Sequence, residues 1–415
     1  MINYPKYNQL VLTQNDTKSI LNQPQIASIK KSRNIITGLK KEWIEILFRI
    51  TIFKIAIKNY RNPWHWIYVP LRLDKKRRKA IGEHRLFKLI HLNNRYYWGL
   101  YTPGWNGNSF QNFIASEMNR IIPMKKKVNQ FINAYVSITK KCSLRCEHCY
   151  EWENLNTKDN LSTEVIVSNI TKIQQKGVSQ IHLTGGEPLL RIAAILEILE
   201  HCDKKNTDFW VLTSGFKLTD ENAKNLHLGG LTGVFISLDH FDPEKHNTFR
   251  GYKDAFYWAK EGVKNAINNN LVVALSICVT NEFTSTENLI SYAKLAKEWG
   301  VSFIQLLEPK EVGHYTDKNV VLSNEKTALL DDFYFNMNYN SDNKSFPLIS
   351  YHGYYQRRQG CYASGNRSFY LDANGDFNSC PFCHQKSGSI FNDNFDDCIT
   401  DMISKGCPNY TQIKT

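Results

Sequence analysis

Three cysteines fall at the spacing Cys142-x3-Cys146-x2-Cys149, within the run Lys141-Cys142-Ser143-Leu144-Arg145-Cys146-Glu147-His148-Cys149-Tyr150. Thiolates at that spacing can wrap one corner of a cubane, and soft sulfur ligands suit an iron-sulfur cluster or zinc. On the first reading a fourth iron lacks a protein ligand, and an open iron can chelate a small molecule and pass it an electron. On the second, His148 is the nearest candidate to close a zinc site. A further group, Cys361, Cys380 and Cys383, lies toward the end of the chain, while Cys202, Cys278, Cys398 and Cys407 stand apart. Ten cysteines in 415 residues point, in a reducing compartment, to metal or redox chemistry rather than a disulfide scaffold.

The elements that must position these thiols can be read from pattern. Between residues 131 and 315, β-rich runs alternate with helical ones: Ala134 to Thr139, Gln180 to Thr184, Phe209 to Thr213, Gly233 to Leu238, Val272 to Val279 and Ser302 to Leu307. That alternation predicts βαβ units and a parallel sheet, an α/β fold of six units that fits a partial (β/α)6 barrel. The triad follows the first strand, at the end where such an architecture places its site. Residues 1–130 form a basic N-terminal region and residues 316–415 a Cys-bearing C-terminal domain. Within the first, Leu39 to Lys58 reads as a helix with a narrow polar stripe and a wide apolar face. Leu86 to Leu92 and Tyr96 to Tyr101 read as a β-hairpin turning through Asn93-Asn94-Arg95.

The motifs now become specific. Cys142, Cys146 and Cys149 with an aromatic at Tyr150 resemble the signature of the radical S-adenosylmethionine (SAM) superfamily. Thr184-Gly185-Gly186-Glu187-Pro188 follows the second strand and resembles that family's Gly-Gly-Glu-Pro motif. The resemblance implies a [4Fe-4S] cluster whose open iron binds SAM, an external low-potential electron donor, and cleavage of SAM to methionine and a 5′-deoxyadenosyl radical that abstracts a substrate hydrogen. It also implies that Gly185, Gly186 and Glu187 hold the methionine amino group. Ser214, where relatives often carry Asn, ends the third strand. Ser237 and Arg250 would meet the SAM carboxylate or ribose, and the backbone at Leu306 the adenine. Glu308 and His314, after the sixth strand, are candidates to reach the mouth of the site, and Tyr351 and His352 precede Cys361.

Gly360-Cys361, then Gly375 and Cys380, resembles the opening of a SPASM or twitch extension, which implies an auxiliary iron-sulfur cluster. A full SPASM domain has seven cysteines, and five lie here. One auxiliary [4Fe-4S] cluster is the economical reading, with Cys361, Cys380 and Cys383 as ligands. Cys398 shares an apolar helix face with Phe395, Ile399 and Met402, so Cys407, after Gly406, is preferred as the fourth. Proteins that pair this barrel with such an extension most often modify ribosomally made peptides or protein side chains. The winged-helix element of three strands and three helices that binds the leader of such peptides leaves no trace in residues 1–130.

Charge adds a second line. Residues 1–130 hold 24 Lys or Arg against 6 Asp or Glu, so the excess there is about +18 while the whole chain carries +13. Beside the amphipathic helix, Trp64 to Tyr68 and the basic run Lys75 to Lys79 fit a membrane-surface segment across residues 39–79. An ordinary helix packed on the main domain is the competing reading. The corresponding substrate would be a lipid or other hydrophobic small molecule in place of a peptide; nucleic acid is not the expected partner. No run reaches the roughly 20 apolar residues of a bilayer span, and no signal sequence is visible. The protein is expected in the cytoplasm, with contact at the membrane surface as an option. An electron carrier or sensor would not need Gly185-Gly186-Glu187-Pro188.

Overall fold

The computed structural model describes residues 34–81, 85–124, 131–361, 365–391 and 394–407. The start of the basic region and the chain after Cys407 lie outside the described residues. The N-terminal unit runs β1 (Asn34–Ile36), α1 (Gly38–Asn59), α2 (Pro63–Ile81), β2 (Leu89–Leu92), β3 (Arg95–Tyr97) and α3 (Asn108–Asn119). Pro63 starts α2 where its missing N–H is no loss, and the Asn62 side chain accepts from Trp64 N–H at 3.0 Å. Asn93 and Asn94 both take positive φ, 50° and 58°, which sets the tight turn between β2 and β3. The strands form one antiparallel sheet in the order β1-β2-β3. Among the described residues this region therefore holds three strands and three helices: α1 and the β2–β3 hairpin stand where the sequence placed a helix and a hairpin, whereas β1, α2 and α3 were not read from it. β1, three residues long, is too short to display an alternation.

The main body continues β4 (Asn133–Ser137), α4 (Thr163–Gln175), β5 (Gln180–Thr184), α5 (Ile192–His201), β6 (Asp208–Thr213), α6 (Asp220–Gly229) and β7 (Gly233–Ser237). It then runs through α7 (Pro243–Arg250), α8 (Ala255–Asn268), β8 (Val272–Cys278), α9 (Thr286–Glu298) and β9 (Phe303–Leu307). Ser162, Thr219, Asp242 and Ser285 cap four of these helices through their side chains. All six expected strands are present, mostly parallel as expected. The chain then adds α10 (Asn324–Tyr339), β10 (Leu348–Tyr351), α11 (His352–Gln359), β11 (Ser368–Leu371), β12 (Asp376–Cys380), β13 (Cys383–Ser389) and α12 (Phe395–Lys405).

The sheet order is β10-β9-β8-β7-β6-β5-β4-β11-β12-β13, and every neighbouring pair from β10 to β11 is parallel. From sequence the sheet ended with the sixth strand, whereas β10 and β11 extend it on both flanks. The C-terminal segment is thus continuous with the barrel sheet. Its first contribution, four residues after Pro347, carries too little pattern to be read as a strand.

Period-two alternation sorts the strand side chains. Ile181, Leu183, Val211, Val234, Ile236, Leu275 and Ile304 face the helices in the main core. Trp210, Phe235, Val272, Ala274, Phe303 and Leu348 face inward and pack on Ile90, Leu92, Tyr97 and Leu100 of the N-terminal hairpin. The hairpin therefore floors the barrel, and burying each such side chain contributes roughly 1.5–3 kcal/mol. Arg95 Nη1 meets the buried Asp208 carboxylate at 2.7 Å, and Arg367 grips Glu117 through two bonds of 2.7 and 3.1 Å. Among the described residues no helix is long and apolar enough to cross a membrane.

Candidate active site

The loop after β4 carries the triad and is fixed from three sides. Arg145 N–H donates to Arg250 O at 3.1 Å and Glu147 N–H to Phe249 O at 3.0 Å, tying the loop to the end of α7. Cys142 N–H donates to Asn156 Oδ1 at 3.0 Å. His314 N–H donates to Cys149 O at 2.9 Å, its Nδ1 lies 3.0 Å from Cys146 O, and its ring stacks on Trp152 at 3.8 Å. His314 thus braces the cysteine loop. The thiols sit against Leu144, Leu190, Phe216, Tyr252 and Trp258. Burial pushes the Cys142 thiol well up and that of Cys149 up to about 12, with neighbouring cysteines adding to both. Cys146 is raised by burial against the Arg250 guanidinium, whose Nη1 lies 3.5 Å from its sulfur.

The Gly185-Gly186 step lets the end of β5 seat directly on this loop. Gly185 has φ +141°, and a Cβ there would fall 2.3 Å from Thr139 O. A Cβ on Gly186 would fall 2.3 Å from Lys141 O and 3.1 Å from Cys142 Cβ. Backbone bonds from Gly186 N–H to Thr139 O at 2.8 Å and from Glu187 N–H to Lys141 O at 2.7 Å close the contact. The Glu187 carboxylate is buried and accepts four bonds: Leu189 N–H at 3.1 Å, Thr213 Oγ1 at 2.7 Å, Ser214 N–H at 2.8 Å and Ser214 Oγ at 2.6 Å. Burial raises its pKa against those donors. An ammonium arriving here would share oxygens that are already engaged. Tyr150 OH pairs with Thr184 Oγ1 at 3.0 Å, and its ring meets the edges of Tyr370 and Phe382.

Arg250 lies beside the triad, but its Nε donates to Asp239 Oδ2 at 2.5 Å. Asp239, buried past the end of β7, also accepts Cys278 N–H at 3.0 Å, and its own N–H donates to His246 Nδ1 at 3.0 Å. Of Ser237-Leu238-Asp239-His240, sequence reasoning singled out Ser237; the signal for Asp239 was an acid just beyond an apolar strand. Ser237 is half-buried at that strand end, and the Leu306 side chain sits in the core, leaving only its backbone to face a ligand. Glu308 is held by Tyr351 OH at 2.6 Å, Arg357 Nη1 at 2.5 Å and Lys310 Nζ at 3.6 Å. Burial pushes its pKa up, but these partners outweigh it and keep the carboxyl below its usual range. The site mouth therefore holds neither Glu308 nor His314 as an unengaged base.

Inside the barrel lies a cluster of which sequence reasoning named only His352. His182 stacks on Tyr135 with ring centroids 4.8 Å apart, Tyr101 lies 4.6 Å from His352, and Gln305 Nε2 donates to Tyr101 OH. His182 is fully buried and neither ring nitrogen has a hydrogen-bond partner. Its signal was a histidine at the inward parity of β5, between the polar Gln180 and Thr184 on the same face. Tyr101 comes from the N-terminal unit, and a cavity of about 870 Å³ joins that unit to the barrel, lined by Phe48, Trp98, Tyr101, Phe303, Ser350 and His352 among others.

In the C-terminal segment Cys380 and Cys383 are register partners across the β12–β13 hairpin. Ser379 Oγ donates to Gly406 O at 3.3 Å, which ties the residue before Cys407 to the residue before Cys380. Gln356 Nε2 approaches Cys361 Sγ at 3.8 Å. Cys398 is buried in the main core, and Cys278 lines a small cavity with His148, Leu307 and Phe382.

A parallel barrel sheet, a buried three-thiol loop after its first strand and a glycine cradle after its second are the features of a radical SAM domain. Residues 136–305 match the radical SAM superfamily family profile, and this part of the chain is a radical SAM domain. It is 32% identical over 182 residues to the GTP 3′,8-cyclase of Campylobacter jejuni (strain RM1221), covering 42% of this chain and 55% of the relative. It is also 32% identical over 167 residues to human molybdenum cofactor biosynthesis protein 1, covering 39% and 26%. The chain thus spans about half the length of the first relatives, or less. In fold it is similar to Streptococcus suis SuiB bound to precursor peptide SuiA, with TM-score 0.56, 15% identity, and 86% of this chain and 82% of that one covered. Histidine-tagged anSMEcpe with bound AdoMet gives TM-score 0.50 at 18% identity over 66% and 79%.

The class works with a [4Fe-4S] cluster and SAM, and the residues fit. Three thiols of one short loop share a buried cluster, and their charge is disfavoured by burial until a cation compensates it, which suits iron; among the described residues no group is drawn together as a finished metal site, and Gly186 packs on the backbone that carries Cys142. Cys142, Cys146 and Cys149 would hold the cluster, which supplies the electron that cleaves SAM.

Proposed function

We propose that this enzyme abstracts a hydrogen from a ribosomally made peptide. The observation that carries the reading is the N-terminal unit of three strands and three helices, which sends Tyr101 into the barrel and shares the connecting cavity with it. A peptide held on that unit would have a path to the site. The fold likeness to SuiB, crystallised with a precursor peptide, extends over 86% of the chain and supports the same reading. Among the described residues β1 pairs only with β2, so its outer edge is open to an added strand.

In this reading Cys142, Cys146 and Cys149 hold the SAM-binding cluster, and Cys361, Cys380, Cys383 and Cys407 hold one auxiliary [4Fe-4S] cluster. Phe382, between Cys380 and Cys383, touches Tyr150 of the triad loop, which sets the two cysteine groups on neighbouring loops. Gly185, Gly186, Ser237, Arg250 and the Leu306 backbone surround SAM. Glu187 and Ser214 act as one hydrogen-bonded unit beside it. The lumen groups Tyr101, Tyr135, His182 and His352 orient the peptide side chain that reacts. An external low-potential donor supplies the electron.

A second reading, a nucleotide substrate, is favoured by the 32% identity to a GTP 3′,8-cyclase over 182 residues. Anaerobically reconstituted enzyme, reduced with dithionite and given SAM, should form 5′-deoxyadenosine and shift the mass of a short peptide encoded beside its gene. GTP should remain unchanged. Conversion of GTP with no change in the peptide would replace the first reading by the second.

A further inference from the structure

Helices α1 and α2 carry more apolar surface than the core uses. On α1, Ile44, Ile55 and Ala56 are buried and Leu47, Phe48 and Ile52 pack around them. Along the other side Leu39, Trp43, Ile46, Ile50, Phe53 and Ile57 recur at steps of four and three. They are exposed by 91%, 60%, 48%, 45%, 41% and 41%. At 100° per residue the six fall within about 80° of one another, a single continuous stripe. On α2, Trp64, Ile67 and Leu71 repeat the pattern at 67%, 55% and 64% exposure. Trp66 differs: it is half-buried and donates to Tyr60 O at 2.8 Å, so it belongs to the unit's own packing.

Cations border the stripes. Lys40, Lys54, Lys58, Arg72, Lys75 and Lys79 are exposed on the same two helices, with Glu42 the exposed acid among the described residues of α1. We propose that α1 and α2 dock the protein on an anionic bilayer, with the apolar stripes seated in the interfacial layer and the lysines and arginines at the level of the lipid phosphates. Charge complementarity selects this occupant. Two copies packed stripe to stripe would bring like-charged borders together, whereas an anionic surface satisfies the apolar and cationic parts at once. The inference does not depend on the substrate.

The test is cosedimentation of the reconstituted holoenzyme with vesicles of phosphatidylcholine alone or mixed with phosphatidylglycerol. Binding is expected to the mixed vesicles at low salt, to weaken as salt screens the charges, and to blue-shift tryptophan emission through Trp43 and Trp64. Lys54→Glu with Lys58→Glu should lower partitioning by roughly tenfold or more. Ile50→Ser with Phe53→Ser should remove the binding that persists at high salt. Both pairs are exposed and distant from the cysteines, so SAM cleavage and the circular dichroism spectrum should not change. Equal binding to phosphatidylcholine alone, no binding at all, or a lipid-independent dimer that Ile50→Ser with Phe53→Ser dissolves would each overturn the proposal.

Discussion

Replacing Asp239 by Asn tests the buried pair that steadies the cysteine loop. The carboxylate meets Arg250 Nε at 2.5 Å, and Arg250 both donates toward Cys146 Sγ and supplies the carbonyl that anchors Arg145. The amide keeps the shape but removes the charge, leaving a buried guanidinium without its counterion. Breaking a buried pair from one side costs about 3–5 kcal/mol, a large part of the 5–15 kcal/mol typical of a folded domain. Arg250→Met should cost a similar amount for the opposite reason. The double variant Asp239→Asn, Arg250→Met removes both charges and should be more stable than the sum of the single losses by roughly 1–3 kcal/mol, yet still bind iron poorly. Denaturant unfolding, iron content and 5′-deoxyadenosine yield measure the three effects. Burial raises the Asp239 pKa, but the Arg250 guanidinium and the Cys278 N–H overcome that and hold it below the usual carboxylate value. Its contribution is therefore complete above about pH 4 and lost as pH falls through the folded value, and the Asn variant lacks that acid component. A single-variant loss under about 1 kcal/mol, or strict additivity in the double variant, would refute the pairing argument.

Acid should also act through histidines kept neutral. Burial pushes His182 and His246 down to about 3, while the unfolded chain titrates near pH 6.5. Below that value the unfolded state binds the extra protons, so stability should fall by about 1.4 kcal/mol per pH unit for each; a flat unfolding midpoint between about pH 6 and pH 4 would contradict this. Gly186→Ala should displace Lys141 or Cys142 and reduce iron loading, because its Cβ would lie 2.3 Å from a backbone oxygen; full iron content would show that the loop gives way. Replacing Cys142, Cys146 and Cys149 together by Ala should leave about half the iron, if each site holds a [4Fe-4S] cluster, and abolish SAM cleavage. Continued 5′-deoxyadenosine formation would reject that site. Cys407→Ala should lower the remaining iron, whereas Cys398→Ala should cost about 1–3 kcal/mol of stability and no iron. The reverse result would exchange their roles.

The local signals in the sequence were sufficient for the barrel. Six apolar β runs, their intervening helices and the positions of Cys142, Cys146, Cys149 and Gly185-Gly186-Glu187 at strand ends follow from periodicities of 2 and 3.6 and from motif spacing, which depend on neighbours along the chain. The Asn93-Asn94 turn was legible for the same reason: its positive φ values are a local preference. What tertiary structure decided depends on partners far apart in sequence. β10 is a four-residue strand whose identity comes from pairing with β9, and β11, whose Phe369–Leu371 reads as a hairpin strand, gains its place in the barrel sheet only by pairing with β4. The hairpin's role as the barrel floor, and the entry of Tyr101 into the lumen, arise where residues 90–101 meet strands more than a hundred positions later. The family resemblance pointed to Arg250, but only the fold showed that Asp239 holds it, and likewise that Glu308 is committed to Arg357 and His314 to the cysteine loop. A charge or ring finds its partner by distance in space, and sequence separation carries no record of that distance.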